Sequence, residues 1–138
     1  MKIEGYDMPE DLYCEEHHYW LRKEGDVLVM GMDDFAQKLA GEVVFVQLPF
    51  EGKKLKKGKK FSQVESGKWL DKIYAPVNGE IAQSNAELEL NPTLINADCY
   101  GSGWMFKIIP DDLSEINELI HDPAEIEKWI LADIEKFS

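Results

Sequence analysis

Phe61-Ser62-Gln63-Val64-Glu65-Ser66-Gly67-Lys68-Trp69-Leu70 is the stretch on which the reading of this chain turns. A β-prone run climbs to a Glu-Ser-Gly-Lys tip. A second run, Trp69 to Ala75, descends to Pro76-Val77-Asn78-Gly79-Glu80. Gly67 offers backbone freedom at the turn, and sheet pairing can hold the two flanks, so the spacing predicts a β-hairpin presenting one lysine. An amine at such a tip stands in water on a stiff platform, open to acylation. A bare Ser-Gly-Lys turn is usually no more than an exposed lysine. Its surroundings decide otherwise.

Tyr13-Cys14-Glu15-Glu16-His17-His18-Tyr19-Trp20 contains a Tyr-x-x-x-His block closed by a tryptophan, with one extra residue between His17 and Trp20. Gly31-Met32-Asp33-Asp34-Phe35-Ala36-Gln37 follows, then Leu39-Ala40-Gly41-Glu42-Val43-Val44-Phe45-Val46-Gln47-Leu48-Pro49. After Val64-Glu65-Ser66-x-Lys68 come Tyr74-Ala75-Pro76-Val77-Asn78-Gly79-Glu80-Ile81, Asn91-Pro92-x-Leu94-Ile95-Asn96 and Tyr100-Gly101-x-Gly103-Trp104. In order and spacing these blocks resemble the H-protein family of the glycine cleavage system. Each is weak alone, and together they span most of the chain.

The resemblance implies a mainly β fold with C-terminal α structure. This is a barrel-sandwich hybrid of the lipoyl-domain type, with short helices packed on it. One domain is expected over 1–138, the barrel core over about 19–109 and the helices over about 111–137. It implies that lipoate is attached by an amide to Lys68, with Glu65, Ser66, Gly67 and Trp69 forming the attachment hairpin. It also implies a carrier subunit rather than an enzyme, with no catalytic residue of its own. The expected partners are a lipoate ligase or lipoyl-synthesis enzymes, dihydrolipoamide dehydrogenase, and glycine decarboxylase with aminomethyltransferase.

Three departures stand out. The family usually has a small apolar residue before the lysine and Ala after it, where this chain has Gly67 and Trp69. Cys99 stands where the family has Pro, and six lysines crowd Lys53-Lys54-Leu55-Lys56-Lys57-Gly58-Lys59-Lys60. H-like lipoate-binding proteins also serve sulfur oxidation with a heterodisulfide-reductase-like complex. The changed tip tilts the reading toward such a relative, whose cargo would be sulfur-derived. A biotinyl carrier of the same fold wants Met on both sides of its lysine, which Gly67 and Trp69 do not supply. An unmodified scaffold that kept the barrel is the rival from another class, against which Glu65, Ser66 and Lys68 stand.

Composition narrows the field further. With 138 residues and 44% hydrophobic content, one soluble domain with its own core is expected. No apolar run reaches the roughly 18 residues of a membrane helix, and Met1 to Glu10 lacks a signal-peptide core, so the cytoplasm is the expected compartment. A net charge of −12 argues against nucleic acid, whose phosphates it would repel. The lysine run lacks interleaved aromatics and reads as a solvated loop face. Two cysteines, Cys14 and Cys99, are too few for a disulfide framework and are expected to be reduced thiols. Exchange of Cys99 with a dithiolane is the minor alternative.

Tyr19-Trp20-Leu21-Arg22 and Val27-Leu28-Val29-Met30 flank Lys23-Glu24-Gly25-Asp26 as a hairpin, after a polar and loose start. Met32 to Leu39 reads as a short helix with Asp33 as its N-cap and Gly41 ending it. Gly41-Glu42-Val43-Val44 and Gly79-Glu80-Ile81-Ala82 form a weak internal repeat, suited to two half-barrels joined by the Lys68 hairpin. Leu113, Ile116, Leu119 and Ile120 predict a helix after Pro110-Asp111-Asp112, broken at His121-Asp122-Pro123. A second helix follows from Ala124 to Phe137, with Ile126, Trp129, Ile130 and Ile134 inward. His17 and His18, being adjacent, should point apart along a strand and make no chelating pair. No metal site is expected.

Overall fold

A computed structural model describes residues 1–137. The chain runs β1 (Lys2–Ile3), β2 (Tyr6–Asp7), β3 (Tyr13–Glu15), β4 (Tyr19–Glu24), β5 (Val27–Met32), α1 (Asp34–Ala40), β6 (Val43–Val46) and β7 (Lys54–Leu55). It continues as β8 (Lys60–Ser66), β9 (Leu70–Tyr74), β10 (Gly79–Ser84), α2 (Glu87–Leu90), α3 (Leu94–Ala97), β11 (Phe106–Pro110), a 3-10 turn over Leu113–Glu118, and α4 (Pro123–Phe137). A six-stranded sheet in the order β3-β4-β5-β11-β10-β7 faces a three-stranded sheet, β6-β8-β9. Their inner faces bury Tyr19, Leu21, Leu28, Met30, Val46, Val64, Ile73, Ile81 and Phe106 in one core. This is the predicted mainly β sandwich with helices on its flank.

The internal repeat divides between the sheets, Gly41 leading into β6 and Gly79 opening β10. Gly41 takes a left-handed φ of 79° and caps α1, whose other end is held by Asp33, its side chain accepting from the Ala36 N–H. Both caps match the sequence expectation. The helix expected after Pro110 is instead a 3-10 turn. Beyond it Ile120 and Cys14 exchange backbone hydrogen bonds of 2.7 and 3.0 Å, so the chain is drawn out beside β3 rather than coiled. The start is not loose either: β1 and β2 form a small hairpin whose Ile3, with Met8 after it, is buried against Ile126 and Ile130 of α4. Periodicity cannot reveal this, because two-residue strands carry no period.

A second layer covers the outer face of the large sheet. Trp20 is fully buried beside Leu12 and Val29, its indole N–H donating to the Cys99 carbonyl at 2.9 Å. Gly31 lies opposite Trp20 across the β4–β5 ladder, and a Cβ there would come within 2.7 Å of the indole ring. Cys14 and Cys99 are free and buried, and burial pushes both thiols up to about 12. Buried thiols of this kind are poor nucleophiles, which speaks against Cys99 as a partner for a dithiolane.

The histidine pair does not lie on a strand. His17 and His18 occupy the turn between β3 and β4, and His18 has a left-handed φ of 73°. That turn sends the buried His18 ring between Asp33 (2.9 Å from Nδ1) and Asp133 of α4 (2.6 Å from Nε2), stacked on Trp129 at 4.4 Å. Burial alone would lower its basicity, but the hydrogen bonds and charges of the two carboxylates outweigh it and raise the His18 pKa. Asp33, wholly enclosed, is itself pushed up by burial against the pull of His18.

Two outcomes are expected. Gly31→Ala should cost about 2 kcal/mol in denaturant melts, because the tryptophan beside it is enclosed and cannot retreat. A loss below about 0.5 kcal/mol would show that Trp20 moves freely. For His18 the folded pKa lies above the unfolded one, about 6.5, so the histidine's stabilisation is complete below that value. It fades as pH rises through the raised folded value. Thermal melts of wild type and His18→Gln should therefore differ most near pH 5.5 and least near pH 9. A pH-independent gap would mean that shape, not charge, docks α4.

Candidate functional site

The long pair β8–β9 builds the predicted hairpin, with Glu65 opposite Leu70 and Val64 opposite Asp71. Ser66 closes its tip. The Ser66 N–H donates to the Trp69 carbonyl at 2.9 Å, and Ser66 Oγ accepts from the N–H groups of Lys68 and Trp69 at 3.2 Å each. That double acceptance explains a serine at this position, since a short side-chain oxygen can satisfy turn amides locally. Gly67 does not take a left-handed φ, and a Cβ added to it meets nothing within 4 Å. The backbone freedom expected of Gly67 is therefore not used, and Ser66 does the turning.

Lys68 is exposed at this tip. Its side chain lies across the end of α1, where a Cβ on Gly41 would stand 3.6 Å from Lys68 Cε and 3.8 Å from Nζ. The Asn96 side chain fastens that corner. Its oxygen accepts from the Val43 N–H at 2.9 Å, and its amide donates to the Gly41 carbonyl at 2.8 Å. This gives the Asn91-to-Asn96 block a physical role. Sequence reasoning had the block but not the contact, which spans 53 residues.

Beside the tip opens a cavity of about 210 Å³. Ser66 and Trp69 of the hairpin form one side, and Phe35, Leu39 and Ala40 of α1 another. Glu16, His17, His18, Asp71, Asp133 and Lys136 bring charge to its wall. Trp69 is 40% exposed and also forms part of this wall. Asp71 is held there by the hydroxyl of Tyr19, which donates to its Oδ2 at 2.6 Å. Burial, reinforced by the Asp71 charge, raises the Tyr19 pKa well above its ordinary value, so this proton stays on the phenol. None of His18, Asp71 or Asp133 was singled out from the sequence as lining a site.

Glu15, Glu16 and His17 bring ligand-type atoms within 4.8 Å of one another, a cluster the sequence reading did not foresee. One Glu15 oxygen is already engaged by His17 through both its N–H and Nδ1, and the other is sealed from solvent with no partner. Burial raises the Glu15 pKa, which suits a carboxyl enclosed in this way rather than an open cation ligand. The six lysines of 53–60 sit on the loop around β7. Lys57 pairs with Glu118 and Lys54 with Glu80, while Lys53 donates to the Phe61 carbonyl and Lys60 to the Gln63 side chain. No helix among the described residues is long and apolar enough to cross a membrane.

Comparison with known proteins places this geometry. The family model for the glycine cleavage H-protein matches residues 12–132. The glycine cleavage system H protein of Thermus thermophilus is 43% identical over 114 residues, covering 83% of this chain and 89% of the relative. That of Carboxydothermus hydrogenoformans is 39% identical over 123 residues, covering 89% and 94%. The crystal structure of a glycine cleavage system H protein from Mycobacterium marinum superposes with a TM-score of 0.77 at 30% identity, covering 86% of this chain and 94% of the other. With the family model matching residues 12–132, relatives 43% and 39% identical and the fold shared with a solved member, the chain belongs to the glycine cleavage H-protein family.

Proposed function

We propose that Lys68 receives a lipoyl group in amide linkage, and that the loaded arm carries an aminomethyl group between the enzymes of glycine cleavage. The observation that carries this reading is the exposed lysine at a stiff hairpin tip, beside a cavity large enough to take the head of an arm. When bound, the group supplies a dithiolane that cycles between disulfide, dithiol and thiol-bound cargo.

The chain's own residues do the positioning. The β8–β9 ladder and the Ser66 turn hold the lysine Cα, and its stem lies across the end of α1 beside Gly41. Trp69, Phe35 and Leu39 offer the apolar part of the wall against which the hydrocarbon of an arm can lie. Glu16 and Asp71 on the wall suit a cargo ending in a cationic amine, because a carboxylate favours a nearby ammonium. Asp133 is already committed to His18, and so contributes through that pair.

Glycine decarboxylase, aminomethyltransferase, dihydrolipoamide dehydrogenase and a lipoate ligase are the partners this reading requires. The tip residues Gly67 and Trp69 had suggested a sulfur-derived cargo delivered to a heterodisulfide-reductase-like complex. The relatives' names support glycine cleavage instead, and they lend nothing to the sulfur reading or to an unmodified scaffold. Trp69 has a place in the cavity wall that does not call on a different pathway.

Co-expression with a lipoate ligase should place one lipoyl amide on Lys68 by peptide mass spectrometry, and none on Lys72, whose exposed side chain lies along β9 away from the tip. The loaded protein should then support glycine-dependent carbon dioxide release by glycine decarboxylase with aminomethyltransferase. Lys68→Arg should abolish both. Modification persisting in Lys68→Arg would sink the attachment site, and a fully loaded but inert wild type would sink the cargo.

A further inference from the structure

The outer face of the three-stranded sheet changes character along its length. Strand alternation sends Val46, Val64 and Asp71 inward in one register row. The next row toward the tip, Phe45–Glu65–Leu70, therefore points outward. Phe45 is 48% exposed and Leu70 52%, and the bulge at Val44 adds a third apolar residue, 55% exposed. On the other side of the inward row, away from the tip, the outward pair is polar, Gln63 opposite Lys72. Apolar surface is thus concentrated in the row beside Lys68. Glu65 lies at its centre, and its side chain has no hydrogen-bond or ion-pair partner among the described residues.

We infer that this row is the footing of the enzyme that attaches the lipoyl group to Lys68, and that Phe45 and Leu70 are its anchors. The inference rests on the carrier reading above. Reach selects this occupant among the enzymes that handle the arm. A bare lysine extends its amine only about 6 Å from its Cα, five bonds, whereas a lipoylated one extends about 14 Å. An enzyme acting on the distal sulfurs can work from a distance. One acting on the bare amine must bring its own surface against the hairpin. Phe45 and Leu70 stand two strand spacings apart, about 10 Å, on the strands flanking the one that climbs to Lys68.

Glu65 between them calls for a cationic residue on the partner, set in an otherwise apolar rim. A few residues near the centre of a contact carry most of an interface's affinity, and Phe45 and Leu70 are the large apolar side chains that stand free in this row. The step itself balances within a ligase charged with lipoate and ATP. The Lys68 nitrogen attacks the carbonyl of the lipoyl adenylate and a C–N bond forms. The C–O bond to phosphate breaks, AMP leaves, and the two protons lost from the ammonium pass to solvent.

Unmodified full-length protein would be titrated against lipoate ligase with ATP and lipoate, following attachment by mass. Phe45→Thr with Leu70→Thr keeps strand-compatible residues at exposed positions; Leu90→Thr, at an exposed apolar site elsewhere, is the control. Thermal melts check that each variant is folded, and each single variant serves should the double one fail. Wild type and Leu90→Thr should share one KM, with the double variant raised about tenfold. Each protein would then be driven to full loading with excess ligase and its arm reduced by dihydrolipoamide dehydrogenase with NADH, where all three should react alike. An unchanged KM for the double variant overturns the inference, as does an equal loss with the dehydrogenase, which would mean a footing shared by every partner. If wild type is not modified on Lys68 at all, the carrier reading falls first and takes this one with it.

Discussion

One hydrogen bond decides which way the hairpin faces. Tyr19 is fully buried on the large sheet, and a phenol shut away from water needs a partner for its hydroxyl. It finds Asp71 on the small sheet, three residues beyond Lys68. With Asp71 committed inward, the period of two fixes Leu70 outward, and pairing then fixes Glu65 and Phe45 beside it. A slip of one residue would expose Val64 and bury Glu65 without a partner. The position of the lysine, the charge in the cavity and the apolar row outside all follow from a contact that neither residue type announces alone.

The second constraint acts from the other side. The His18 ring joins the N-cap of α1 to α4 through two carboxylates, and both helices contribute walls to the cavity. The pocket is therefore assembled from four separate stretches of the chain held by three polar contacts, with apolar packing filling the space between them. That division matches the general pattern in which burial supplies stability and a few satisfied polar groups specify a single arrangement.

Local chemistry made the frame readable in advance. The hairpins, the caps of α1 at Asp33 and Gly41, and the inward face of α4 depend on neighbours within a few residues, which a sequence displays directly. The cavity did not show, because His18 and Asp133 are 115 positions apart and nothing local links them. Trp69 was legible only in part: its exposure at the tip follows from the turn, while its share in the cavity wall depends on α1, far back in the chain. Leu113 to Ile120 misled. Its apolar spacing satisfies a helix, but Leu113–Glu118 coils only as a 3-10 turn, and pairing of Ile120 with Cys14 draws the chain out beyond it.

The strand order has a bearing on when during its synthesis the tip of the β8–β9 hairpin gains its surroundings. Lys68 falls near the midpoint, yet β11, inserted between β5 and β10, and α4, with its hold on His18, come later in the chain. Until β11 is made, the large sheet has a gap at its centre and Tyr19 lacks a finished floor. Pairings of such long sequence separation form slowly, and a domain generally folds as a unit. A ribosome that has just released Lys68 thus presents the hairpin sequence before the strand and helix that complete its surroundings exist.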